Sequence, residues 1–210
     1  TPPVGIYHRM WGAAKHDTAT GVHRPLIATV LRLAPHKEAV SAGVIFVAMD
    51  HCLLWGEEMD SFLDSVSNLA SVERDSILVC FSHTHAAGLM GLERTELPGG
   101  EMIPPYLDEL ASKVAGAIHE AGSSMTSGHF SFATGRCDLA RNRDFYDDQA
   151  GHFVCGFNPD GEVDDSVLVA RVTDETSGKT RATIVNYACH PTTLAWDCLL
   201  YTSDAADERS

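Results

Sequence analysis

Two short apolar runs flank a segment of helical periodicity, and this order constrains the fold more than any other feature of the chain. Residues 43–49 (Gly-Val-Ile-Phe-Val-Ala-Met) are apolar on both faces, as a central strand requires. Residues 57–72 repeat Met59, Phe62, Leu63, Val66, Leu69 and Ala70 at helical spacing, with Glu58, Asp60, Asp64 and Ser67 facing outward. Acidic residues in the first turn suit the helix dipole. Residues 76–81 then read as a second buried strand. Strand, helix and strand at crossover spacing predict a parallel pair with a right-handed connection.

The rest of the chain extends this pattern. Residues 26–33 read as a strand. Residues 86–104, with Gly88, Gly91, Pro98, Gly99, Gly100 and Pro104, form a long loop of the kind that borders active sites. Pro105 opens a second helix with Leu107, Leu110, Ala111, Val114, Ala117, Ile118 and Ala121 as its buried stripe and Gly122 as its C-cap. A strand follows at 129–135, and residues 136–165 read as loop. Strands at 166–173 and 181–188 are joined by the turn-rich 174–179, which makes a hairpin. The expected fold is α/β, with mixed β-sheets flanked by helices in a layered α/β sandwich, incomplete at the C-terminus. No internal repeat or interior domain boundary is evident, so residues 1–197 are expected to be one partial domain. Residues 198–210 continue none of these patterns and resemble translated sequencing-adapter read-through. On that expectation the natural chain runs on beyond about Asp197.

Composition excludes some partners. The net charge is −14 over 210 residues. That argues against nucleic acid, whose phosphates need clustered Lys and Arg, and against simple attraction to anionic membranes. No run approaches the roughly 20 apolar residues of a transmembrane helix, and no signal segment opens the chain. Six cysteines without a CxxC pair read as buried thiols, although Cys52 with Cys80, or Cys137 with Cys155, could pair in an oxidising compartment.

The chemistry gathers at strand ends. The strand ending at Phe81 is followed by Ser82-His83-Thr84-His85, and the strand ending near Ala188 by Cys189-His190-Pro191. If the strand geometry persists, His83 and His85 point the same way and reach one site. Imidazole nitrogen suits zinc, and a catalytic zinc has three protein ligands and an open position, so His190 could supply another ligand. The opposing reading is a solvated or hydrogen-bonded loop. Asp50, at the end of the strand 43–49, could be a ligand, a partner for a ligating histidine, or a strand-end cap. Arg141 and Arg143 could steady an oxyanion, or form ordinary surface ion pairs. His8, His16 and His23 fit no metal spacing and suit surface or supporting roles. No phosphate-binding Gly-rich loop, Gly-x-Ser-x-Gly elbow or HExxH helix is present.

Six motifs in order carry a family resemblance. They are Gly21-Val22-His23-Arg24-Pro25-Leu26, Ile45-Phe46-Val47-Ala48-Met49-Asp50, Ser82-His83-Thr84-His85-Ala86-Ala87-Gly88, Asn142-Arg143, Asn158-Pro159-Asp160-Gly161, and Asn186-Tyr187-Ala188-Cys189-His190-Pro191. Together they resemble the N-terminal catalytic domain of the neutral/alkaline non-lysosomal ceramidases, from about Val4 to Asp197. The resemblance implies a zinc-dependent amidohydrolase that splits N-acylsphingosine into sphingosine and fatty acid. His83 and His190 match zinc ligands, His85 a histidine close to the substrate amide, and Arg143 an arginine near the substrate carbonyl. The family completes its zinc site with a glutamate and a tyrosine further along, so residues 1–197 alone are expected to be inactive. A secreted or periplasmic location is also implied. The chain departs from the family in the Ala-Ala-Gly after the His-x-His and in its Cys-His-Pro-Thr, both on the substrate side. Two rival readings are a metallohydrolase on the same scaffold with a non-lipid amide or ester substrate, and a non-catalytic domain with structural histidines.

Overall fold

Val44–Met49 carries no polar side chain, and it forms the middle of a sheet. The computed structural model describes residues 1–10, 16–36 and 43–190, with the backbone of 200–201. Expectations placed on Gly12, on Lys37 and Glu38, on Pro191 and on the tail lie outside the described residues, that dipeptide apart. The chain divides into two compact units, one built on Thr1–Met125 and the other on Thr126–His190.

The first unit contains β1 (Gly21–Val22), β2 (Ala28–Leu33), β3 (Val44–Met49), α1 (Gly56–Ala70), β4 (Ile77–Phe81) and α2 (Ile103–Ser123). The sheet order is β2-β3-β4, with β3 antiparallel to β2 and parallel to β4. The parallel pair expected from the sequence is therefore present. Alternation along β3 buries Ile45, Val47 and Met49. They share one apolar cluster with Phe62, Val66 and Ala70 of α1 and with Ile103, Tyr106, Leu110, Val114 and Ile118 of α2. Each large side chain so buried contributes about 1.5–3 kcal/mol. The opposite side of β3 is only partly covered, and Ala48 is exposed. The dipeptide β1 pairs in parallel with Leu200–Tyr201, β10.

Several details differ from the sequence reading. Glu58 faces inward: it is 5% exposed, and its Oε1 accepts a hydrogen bond from the Leu92 amide at 2.8 Å. Leu69, placed in the apolar stripe, is exposed. The α1 helix stops at Ala70 because Ser71 turns left-handed (φ 53°) and its N–H reaches back to the Ser67–Asn68 carbonyls. In α2 the buried stripe is Ile103, Tyr106, Leu110, Ala111, Val114, Ala115 and Ile118, and the helix runs through Gly122 to Ser123. The segment after β4 contains short 3-10 turns at His85–Ala87, Leu92–Arg94 and Gly100–Met102. Ala87, Leu89 and Met90 are buried, so it packs as part of the unit.

The second unit contains β5 (Gly128–Arg136), β6 (Asp144–Asp147), β7 (His152–Cys155), β8 (Ser166–Asp174) and β9 (Thr180–Tyr187). The antiparallel sheet order is β5-β8-β9, which includes the expected hairpin. The Asp174 carboxylate closes that hairpin, accepting from Thr176 N, Ser177 N and Ser177 Oγ. The Ser177 donors hold its pKa below the ordinary aspartate value. The reading of 136–165 as loop is corrected by a second hairpin, β6–β7. Its strands have four residues each, too few for a periodic signal, and Tyr146 meets Phe153 edge-on at 5.2 Å. The fold class is α/β, with a mixed sheet, antiparallel sheets and, among the described residues, two α-helices. Among the described residues no helix is long and apolar enough to cross a membrane.

Candidate metal centre

The parallel register of β3 and β4 sets the site. Met49 stands opposite Phe81, so the segments that follow leave the sheet side by side. The Met49 carbonyl accepts from both Ser82 N (3.0 Å) and His51 N (2.9 Å), which ties the two exits together. Asp50 takes the strand-end cap role. Its N–H donates to the Ile27 carbonyl and its Oδ2 accepts from the Ile27 amide at 3.1 Å.

The His-x-His does not continue the strand. Its expected extended geometry gives way to a left-handed residue at His83 (φ 58°) and a 3-10 turn beginning at His85. The two rings nonetheless meet edge-on with centroids 5.1 Å apart. Thr84, fully buried, accepts a hydrogen bond from Ala86 N and so starts the turn. A non-glycine residue held in the left-handed region costs of order 1–3 kcal/mol, and such strain concentrates at functional sites.

Cys52 joins the pair. The donor atoms of Cys52, His83 and His85 all lie within 4.8 Å of one another. The Cys52 carbonyl oxygen is 3.0 Å from His83 Nδ1, and Cys52 Sγ is 3.7 Å from the same nitrogen. A carbonyl facing Nδ1 requires the proton there, which makes Nε2 the lone-pair nitrogen. A backbone carbonyl holding the second nitrogen is the usual support for a ligating histidine. Two imidazoles and a thiol suit zinc or another borderline-soft ion.

Other histidines line this region. His51, beside Cys52 in sequence, is fully buried between the rings of Phe81 and Tyr106, and burial pushes its pKa down to about 4. His8 is also buried rather than at the surface, with its ring 5.3 Å from that of His16; His23 is exposed as expected. Gly88 (φ 75°) lies against His8, and a Cβ there would fall 2.3 Å from His8 Cβ.

Arg143 and His190 belong to the second unit. There the structure joins motifs that are distant in sequence. The Asn142 side chain donates to the Glu162 carbonyl and accepts from Asp144 N, and its backbone carbonyl accepts from Asn158 N. Asn158 Nδ2 donates to the Asp144 carbonyl. Tyr187, two residues before Cys189, donates its hydroxyl proton to the Cys137 carbonyl (2.9 Å) and accepts from Ala140 N (2.8 Å). Arg141 donates to the Asp138 and Ala140 carbonyls of its own loop, while Arg143 is half-buried. Sequence reasoning named His83 and His85 but missed Cys52, which follows the polar Asp50-His51 at a strand end. The signal was the parallel pairing that set both strand ends together. Of the described cysteines 52, 80, 137, 155 and 189, none is in a disulfide, and among them Cys52 alone is buried.

No protein-family model and no curated protein matches this chain. Its backbone is similar to the crystal structure of neutral ceramidase from Pseudomonas aeruginosa, with a TM-score of 0.67 at 16% sequence identity. The match covers 97% of this chain and 32% of that one, so the chain spans about a third of the solved protein's length. At this identity the likeness shows a shared fold.

Proposed function

We propose that the chain forms part of a zinc-dependent amide hydrolase of the neutral ceramidase kind, acting on N-acylsphingosine. One observation carries the reading: His83, held left-handed at the exit of a parallel strand pair, stands with a second imidazole and a thiol on a fold shared with a ceramidase.

The residues divide the chemistry as follows. His83 offers Nε2 as a metal donor, with its other nitrogen held by the Cys52 carbonyl. The motif resemblance supports His190 as a second ligand. When bound, zinc supplies Lewis acidity that polarises the scissile carbonyl and lowers the pKa of water to about 7. Arg143 carries a permanent charge suited to the negative charge developing on the carbonyl oxygen. His85, buried beside His83, is the proposed proton donor to the leaving amine.

The test is metal analysis of the purified protein in its natural length, with N-acylsphingosine hydrolysis followed in parallel. Zinc near one equivalent is expected. His83→Ala is expected to lose the metal and more than about 100-fold of the activity, a larger effect than the 10–100-fold typical of supporting residues. A metal-free protein whose function is unchanged by His83→Ala would refute the reading.

A further inference from the structure

We propose that the cavity at the start of α1, lined by Trp55, Glu57, Glu58 and Glu93, binds a small alkylammonium ion. The inference does not rest on a metal at His83, so the two readings stand or fall separately.

Glu58 supplies the first observation. It is 5% exposed and lines the cavity. Its Oε1 accepts from the Leu92 amide, whereas Oε2 of the same carboxylate has no hydrogen-bond partner. A buried carboxylate oxygen without a donor is costly, and a cation in the cavity supplies one. The terminal carboxylate torsion is soft, so a small rotation turns Oε2 towards a donor. Trp55 supplies the second observation: it is 45% exposed on the same cavity, which sets a large aromatic ring beside the carboxylates instead of in the core. Charge supplies the third. Glu57 and Glu93 are exposed carboxylates on the cavity wall. Arg94 Nε lies 3.4 Å from Glu93 Oε1 and offsets one of them, while its Nη1 donates to the Leu89 carbonyl. The α1 N-terminus adds roughly half a positive charge. Against three carboxylates these leave the cavity negative.

Spacing and volume select the class of cation. Among the described residues, the donor atoms that lie within 4.8 Å of one another are those of Cys52, His83 and His85. The three carboxylates here are therefore spread too widely to close on one small metal ion. The cavity volume is about 400 Å³, which suits a small organic molecule. An alkylammonium ion matches both walls. Its N–H groups donate to the carboxylates, Glu58 Oε2 among them, in charge-assisted hydrogen bonds. Its carbon chain lies on the Trp55 ring, whose face also attracts the positive charge.

Isothermal titration calorimetry with isobutylammonium chloride tests the site, with isobutanol as the uncharged isostere and sodium chloride holding the ionic strength constant. Saturable binding of isobutylammonium is expected, about tenfold or more tighter than that of isobutanol. Trp55→Ala and Glu58→Gln are each expected to weaken it by about fivefold or more. Glu58→Gln keeps an oxygen for the Leu92 amide and Trp55 is half-exposed, so both variants are expected to fold. Should either fail to fold, Glu57→Gln at an exposed position decides, with an expected weakening of about twofold or more. Equal binding of isobutanol would make the cavity a merely apolar one and overturn the proposal. Calcium chloride displacing isobutylammonium at micromolar concentration would make it a metal site and overturn it too. So would the absence of saturable binding, or binding unmoved by the substitutions. None of these outcomes alters the metal content expected at His83.

Discussion

Gly88 shows how single residues shape the centre. Its φ of 75° and the approach of His8, at 2.3 Å from an added Cβ, leave no room for a side chain. Gly88→Ala is expected to lose stability by about 1–3 kcal/mol from backbone strain, before the contact with His8 is counted. Urea denaturation of the two proteins checks this, and equal midpoints would refute it. The partner in that contact confers acid sensitivity. Burial, then the neighbouring His16, pushes the His8 imidazole down to about 4 against the pull of Asp17. The unfolded chain takes up that proton below about pH 6.5, whereas the folded chain stays neutral until about pH 4. Stability from His8 is therefore full above pH 6.5 and falls as pH drops through that window, by on the order of 3 kcal/mol in all. His8→Gln is expected to flatten that part of the profile in denaturation curves taken from neutral to about pH 4.5. A slope untouched by the substitution would assign the acid response to other groups.

Elements are held in place by a few polar contacts between chain segments. Glu58 in the first turn of α1 anchors the turn Leu92–Arg94 through the Leu92 amide. Glu58→Ala is expected to cost about 1–3 kcal/mol, because a buried N–H loses its acceptor, while Glu58→Gln retains most of the stability. Chemical denaturation of both variants separates the hydrogen bond from the charge. In the second unit, Tyr187 at the end of β9 bridges Cys137 and Ala140. Tyr187→Phe is expected to raise hydrogen exchange at Ala140 several-fold and leave the β8–β9 ladder protected; unchanged exchange at Ala140 would argue against the bridge. Helical spacing in the sequence located α1 and α2, because periodicity reports burial on one face, and apolar runs bounded by turn residues located the main strands. It misplaced Glu58 and Leu69, since periodicity names a face and not the partner that reaches it. It missed β6 and β7 because four-residue strands are too short to show a period.

At the scale of the molecule, zinc bound as proposed stabilises the fold through linkage. A ligand that binds only the folded state at 100 times its Kd adds about 2.7 kcal/mol. Zinc is accordingly expected to raise the thermal midpoint of the protein and to leave that of His83→Ala unmoved, in a calorimetric scan with and without the metal. An equal rise in both would place the zinc elsewhere. By itself the sequence determined the α/β class, the parallel pairing of β3 with β4, and the delivery of His83 and His85 at a strand end. Those follow from local periodicity, turn chemistry and chain order. Only the tertiary structure decided how the two rings meet, through a left-handed His83 and a 3-10 turn in place of an extended strand. It also decided that Cys52 faces them, since that contact spans 31 residues of chain and depends on the register of two strands, which no local pattern encodes.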